Sequence, residues 1–235
     1  MGAFLARPFG LLLELLYSLV GNYGISIILL SLVIRLAMYP IYKKQITSTS
    51  NMAELQKKQQ EIQKKYANDK ETMNLKLSEL YKENGSPMAG CLPMIIQLIV
   101  ISGLFILLRY PLNYISTDDK MVFAVHESFL WMKDLSQPDL WILPILSGIA
   151  TYLSFSMSQM GMPQQAGNPM GGKAMKFVFP IMIVWLARTY PAGLAIYWFI
   201  SQVTQVFFNL RFNKLRQQMK DAESMKKAKK KVKTA

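Results

Sequence analysis

Hydrophobic and polar positions fall in long blocks along this chain, not in the short alternation of a soluble fold. Apolar runs cover 21–42, 87–110, 139–158, 175–188 and 193–210. A helix needs about 20 apolar residues to cross ~30 Å of hydrocarbon, and four of the runs meet that length. The fourth run is short. Only "FVFPIMIVWLA", 11 residues, separates Lys176 from Arg188, which at ~1.5 Å per residue spans ~17 Å. It is expected to thin the bilayer locally or to be covered at its ends by neighbours. "RTYPAG" then turns the chain into the fifth run, with Pro191 and Gly193 as breakers. The pattern predicts an all-α integral membrane protein with five transmembrane helices.

The blocks between the runs have their own patterns. Residues 1–20 are apolar but broken by Arg7, Pro8 and Glu14, which reads as an interfacial amphipathic helix; an extension of the first span is the alternative. Residues 43–86 form a polar helical block. Met52, Leu55, Ile62 and Tyr66 make one thin stripe, and Met73, Leu77, Leu80 and Tyr81 a second. Glu54–Lys58 and Glu61–Lys65 are favourable i,i+4 pairs. With "ANDK" as the turn and "NGSP" as the stop, this predicts a cytoplasmic antiparallel helical hairpin, either a docking arm or a solvated spacer. The 111–138 block is an extracytoplasmic loop. The 159–174 block, covered all but its last residue by "SQMGMPQQAGNPMGGK" (158–173), is expected to be a flexible cytoplasmic loop whose methionines suit transient apolar contacts.

Charge orients the chain. It is 51% hydrophobic yet carries a formal net charge of +13, a combination that fits apolar spans separated from basic loops. The 43–86 block holds nine lysines against six acids, net +3, and the 211–235 tail ten basic residues against two acids, net +8. The 110–139 stretch holds two lysines against five acids, net −3. The positive-inside rule therefore places the N-terminus outside and the C-terminus in the cytoplasm of a multi-pass protein of the bacterial cell membrane. The basic tail consists of Arg211, Lys214, Arg216, Lys220, Lys226, Lys227, Lys229, Lys230, Lys231 and Lys233. It suits anionic lipid or, by counterion release, ribosomal RNA. One cysteine, Cys91, excludes an intrachain disulfide, and one histidine leaves too few ligands for a structural zinc site. No metal or cofactor is expected.

The polar residues inside the runs collect in the cytoplasmic halves. Ser31 and Arg35 share a face of the first run. Gln97 opens the second, Thr151 and Ser154 close the third, and Trp198, Ser201, Gln202 and Gln205 line the fifth. The distribution suggests a hydrated cavity open to the cytoplasm. Snorkelling of Arg35 toward Lys43, eight residues or ~12 Å away, is the alternative. Apart from Asp139 at the outer edge of the third, no acidic residue lies in any run, so no carboxylate near Arg35 can neutralise it, and its charge is expected to be left for an external anion. An acidic segment flanking an incoming hydrophobic helix would fit. The sequence points away from an enzyme: the runs hold no Asp pair, no HExxH and no histidine or lysine base beside a serine. A carrier would call for an inverted repeat, and none is evident.

"GNYGISIILLSLVIRLAMYPIYKKQ", "GSPMAGCLPMIIQLIVISGLFILLR", "FLWMKDLSQPDLWILPIL" and "MKFVFPIMIVWLARTYPAGLAIYWFISQ" closely resemble the YidC/Oxa/Alb membrane-protein insertase family. The likeness runs over about residues 9–212 in consistent order and is closest to the short, Gram-positive type, without a large extra domain and with no lipobox cysteine in view. It implies a five-span core, a cytoplasmic hairpin and a hydrophilic groove holding one arginine of the first span. Arg35 matches that arginine, and Gln97 matches the glutamine after "GCLP". The resemblance further implies insertion and chaperoning of nascent membrane proteins, alone or beside the Sec translocon, with chains received from ribosomes. Anionic lipids are expected partners, and no small-molecule substrate is.

Overall fold

The computed structural model describes residues 2–84, 92–115, 119–158 and 173–234. Cys91, residues 85–87 of the "NGSP" stop and residues 159–172 of the expected flexible loop lie outside the described residues, while Asn84 of that stop ends α3. Eight α-helices follow one another in the described residues: α1 (Gly2–Val20), α2 (Tyr23–Lys65), α3 (Lys70–Asn84), α4 (Leu92–Arg109), α5 (Asp119–Ala124), α6 (Ile142–Ser158), α7 (Lys173–Ala187) and α8 (Ala192–Thr234). A 3-10 turn at Pro111–Asn113 follows α4. Among the described residues there is no named strand, only a lone bridge between Phe129 and Met132.

Two helices run through boundaries that composition marks. α2 is 43 residues long and passes from the apolar first run into the polar hairpin block without a break, with Pro40 inside it. α8, also 43 residues, passes from the fifth run into the basic tail. The α8 junction carries Leu, Arg and Lys, which favour a helix, whereas the α2 junction, "PIYKKQITSTSN", is poor in helix formers, and there the backbone ladder continues against local propensity. Among the described residues, Tyr23–Lys43 is long and apolar enough to cross a membrane by length and composition, whereas Leu98–Arg109, Ile142–Ser158 and Lys176–Ala187 are shorter apolar helical segments.

The corner between α1 and α2 is set locally. Gly21 takes φ 68° and donates its N–H to Tyr17 O at 2.7 Å, a left-handed helix end that glycine adopts without a Cβ penalty. Asn22 then caps α2, its side chain accepting from Ile25 N at 3.0 Å. α1 packs against α4 and α2, burying Ala6 and Leu13. A Cβ on Gly103 would meet Leu5 O at 2.7 Å, so the α1–α4 contact is a close backbone approach. Phe4, Leu11, Leu15 and Leu19 face outward from α1.

The core is a bundle in which α8 sits between α2 and α6, and α6 packs in turn on α7. Tyr39 of α2 contacts Phe208 edge-on at 5.2 Å and stacks on Phe212 at 5.7 Å. Phe155 of α6 meets Phe179 of α7 at 4.9 Å. The 119–141 stretch folds over one end of this bundle and buries Met121, Ala124, Val125, Met132 and Leu135. Glu127 fastens it: its carboxylate accepts from Tyr17 OH at 2.6 Å and from Tyr23 N at 2.8 Å. That bond, with burial and the nearby negative charge, pushes the Tyr17 phenol up to about 12. The α7–α8 turn joins the same cover, with Ala192 N donating to Gln137 O at 2.9 Å and Gly193 N to Leu135 O at 3.1 Å. Asp139 caps the first turn of α6 through Trp141 N and Leu143 N.

At the other end, α2 and α3 pair as a hairpin around Leu55 and Leu80. Asp69 caps α3, accepting from Thr72 N at 3.0 Å.

Candidate functional site

Arg35 lies three turns into α2, on the side facing α8. It is 6% exposed. That value argues against snorkelling, which would leave the guanidinium in contact with solvent. Its Nη1 donates to Tyr42 OH at 2.9 Å and to Gln205 Oε1 at 3.1 Å. An i+7 tyrosine on its own helix and a glutamine of α8 thus both accept from Arg35, and neither is a carboxylate. The Tyr42 hydroxyl passes its own proton toward Met38 Sδ at 3.8 Å, which leaves its lone pair for the guanidinium. Both partners are neutral, and Arg35 forms no ion pair among the described residues. Its charge is therefore delocalised into hydrogen bonds but not cancelled, and Nε and Nη2 carry three further donors. A buried charge of this kind is costly unless an anion or water completes its shell.

The other candidate residues divide. Gln205 is joined to Arg35 and, through Nε2, to Asn209 Oδ1 at 3.0 Å. Thr151 is fully buried, and the Trp198 indole donates to its hydroxyl at 3.1 Å. Thr151 in turn donates to Ser147 O at 2.6 Å. Ser154 is buried and offers its carbonyl to Asn209 Nδ2 at 2.9 Å. Asn213 repeats that contact one turn on, donating to Met157 O at 3.2 Å. Ser31 is buried and bonds its own helix at Ile27 O. Ser201 is buried and Gln202 half-buried on α8. The Gln97 side chain lies outside the described residues. In the tail, Arg211 and Lys214 are exposed on α8. The side chains of Arg216, Lys220, Lys226, Lys227, Lys229, Lys230, Lys231 and Lys233 lie outside the described residues.

The polar residues of the third and fifth runs therefore form a seam between α6 and α8, running from Trp198–Thr151 to Asn213–Met157. Such interhelical hydrogen bonds fasten helices where the hydrophobic effect cannot. Arg35 joins the seam from α2 through Gln205. Tyr42 and Asn213 belong to this network and are missing from the sequence-derived set. Their signal was spacing: Tyr42 is seven residues from Arg35, and Asn213 is four from Asn209.

Residues 15–233 match the family described as 60Kd inner membrane protein. The chain belongs to the 60Kd inner membrane protein family. It is a membrane protein. Among its relatives is the membrane protein insertase YidC of Fusobacterium nucleatum, 37% identical over 189 residues, 80% of this chain and 84% of the relative. That of Caldanaerobacter subterraneus is 35% identical over 87% of this chain and 91% of its own length. That of Wolinella succinogenes is 34% identical over 95% of this chain, which spans only 39% of that longer relative. A crystal structure of an active YidC insertase, with its first transmembrane domain resolved, superposes with a TM-score of 0.57 at 27% identity. It covers 85% of this chain and 44% of that one. The all-helical architecture and the family membership implied by the sequence thus stand.

Proposed function

We propose that this chain is a non-enzymatic membrane-protein insertase and chaperone. It takes hydrophobic segments of nascent proteins through a hydrophilic groove, open toward the hairpin end, into the bilayer, alone or with the Sec translocon. The observation that carries this reading is Arg35: a charge buried in a membrane helix, held by two neutral acceptors and offset by no acid among the described residues. The relatives' names, membrane protein insertase, give the same class.

In this reading the five apolar runs span the membrane, with the N-terminus outside and the hairpin and tail in the cytoplasm. Arg35, Ser31, Gln97, Thr151, Ser154, Trp198, Ser201, Gln202 and Gln205 contact the substrate. An acidic residue flanking an incoming apolar helix supplies the anion that Arg35 lacks. Its carboxylate takes the open donors of the guanidinium, a charge-assisted contact stronger than the neutral pair it joins. The apolar helix then partitions into lipid, which is favourable at ~25 cal/mol per Å² of apolar surface leaving water. The covering stretch 119–141 seals the opposite end. The basic tail meets ribosomes or anionic lipid.

Reconstitution into liposomes with a short, acidic-tailed single-span substrate tests this. Arg35→Ala should lower insertion by about tenfold, the worth of one charged hydrogen bond of ~1.5 kcal/mol. Arg35→Lys should recover part of it, because a charge survives without the fork. Undiminished insertion by Arg35→Ala in a folded protein would sink the charge-attraction mechanism.

A further inference from the structure

The 119–141 cover contains a tight turn, "FLWM". Phe129 N donates to Met132 O and Met132 N to Phe129 O, both at 2.9 Å, so Leu130 and Trp131 are the two central residues. Phe129 sits directly against α2, where a Cβ on Gly24 would strike its ring, and Met132 is buried. The turn is seated on the bundle, while Leu130 and Trp131 are exposed. Leu130 combines two unfavourable features. Its φ is 54°, in the left-handed region that glycine enters freely and a leucine does not. Its side chain is also 74% exposed. Glycine, a favoured residue of such turns, would remove both costs in water. A leucine is favoured there only where its side chain leaves water.

Trp131 ties the tip to the helices below it. Its indole donates to Asp139 Oδ2 at 2.8 Å, and the same carboxylate accepts from Trp141 N and Leu143 N at the start of α6. The Arg188 guanidinium carbon, just past α7, is 4.5 Å from the Trp141 ring centre. Trp131, Trp141 and Trp185 of the last turn of α7 are all exposed at this end, three of the chain's four tryptophans. Tryptophan gathers at the level where a bilayer meets water. Trp141 also heads an exposed apolar face of α6 that continues through Ile145 and Ile149 at i+4 and i+8. Lys133 after the turn and Arg188 beside Trp141 are exposed cations, suited to lipid phosphate at that level. The tip therefore continues a surface that already faces lipid, and this favours the bilayer over a protein as its occupant.

We propose that the Leu130–Trp131 turn is a membrane anchor, dipping into the headgroup layer at the covered end with Leu130 against the upper acyl chains. The inference rests on the reading that α6 and α7 span the bilayer. Two single-tryptophan chains in phosphatidylcholine liposomes test it, one keeping Trp131 and one Trp185, the other three tryptophans of each replaced by phenylalanine. Lipid brominated high on the acyl chain quenches an indole it touches, and iodide on both faces of the liposome quenches one that stays in water. Trp131 should be quenched by the lipid and shielded from iodide. Leu130→Asp should reverse that order, because a charge resists entry. Leu130→Gly, which suits the turn, should keep the fold and lose most of the lipid quenching. Trp185 should be quenched by the lipid in every variant. Trp131 open to iodide and untouched by the lipid, with Trp185 quenched, overturns the proposal and leaves a protein as the occupant of the tip. Loss of lipid quenching at both indoles overturns it together with the span on which it rests. Lipid quenching of Trp131 that survives Leu130→Asp also counts against it. A chain with all four tryptophans, carrying Cys91→Ser and Leu130→Cys, gives a second reading. A polarity-sensitive fluorophore on the new thiol should emit as in lipid, and emission as in water sinks the anchor.

Discussion

Gln205 and Tyr42 hold the Arg35 guanidinium from two sides, and their replacement separates anchoring from charge. Gln205→Leu leaves one side of a buried cation unmet and should lower thermal stability by about 2 kcal/mol, the cost of a lost hydrogen bond to a charged group. Insertion of an acidic-tailed substrate should persist within about threefold, since a factor of three is under 1 kcal/mol and the charge remains. A collapse of insertion equal to that of Arg35→Ala would show that Gln205 acts on the substrate itself. Arg35 was legible in the sequence because a charge inside an apolar run has few explanations. Tyr42 was not, because a tyrosine near the end of such a run is equally well an interfacial anchor; only the fold reveals that its hydroxyl turns back along the helix. Glu127 was likewise hidden. It counted as one acid in an acidic loop, whereas its two bonds to Tyr17 and Tyr23 join segments about a hundred residues apart in sequence.

Among the elements, α3 depends on its first turn. Thr72 bonds to the Asp69 side chain and holds its carboxyl below its ordinary value of 3.8. The folded state thus favours the carboxylate. Its stabilisation of α3 is complete above the unfolded value and is lost as pH falls below 3.8 through the folded one. Asp69→Ala should speed amide hydrogen exchange at Thr72 and Met73 at neutral pH, while Asp69→Asn, which can still accept, should not. Unchanged protection in the alanine variant would mean that packing at Leu80 alone starts the helix. The α1–α4 contact makes a second test. Gly103→Leu would drive a side chain into the α1 backbone and should detach α1, read as faster proteolysis at Arg7 with the rest of the bundle intact. The helices themselves were legible from apolar runs and capping residues. Their continuity was not, because charge changes sharply at 42/43 and 210/211, and at the first of these Pro40 and the poor helix formers "TSTSN" also suggest a break that the helix does not make.

For the whole molecule, the cover at 119–141 and the polar seam at the opposite end give the bundle two unlike ends, and no local pattern in the sequence encodes that pairing. It arises from contacts such as Leu135 O with Gly193 N, which connect a loop to a distant helix start. The tail was legible as charge alone. Deleting 211–235 should weaken ribosome co-sedimentation in a manner that steepens with salt, by the release of counterions from each phosphate contact. Unaltered co-sedimentation would assign the tail to lipid. One further consequence follows from α2. A single helix joins Arg35 to the hairpin, and Ile62 lies 27 residues, ~40 Å, beyond the arginine. Such a rod is a lever with no slack in it. A rotation of five degrees about Arg35 sweeps the far end through about 3.5 Å at that arm length, and a force applied at the tip returns to the guanidinium as torque. Pro40, whose missing N–H interrupts the ladder between the two, is the point at which that torque would be absorbed.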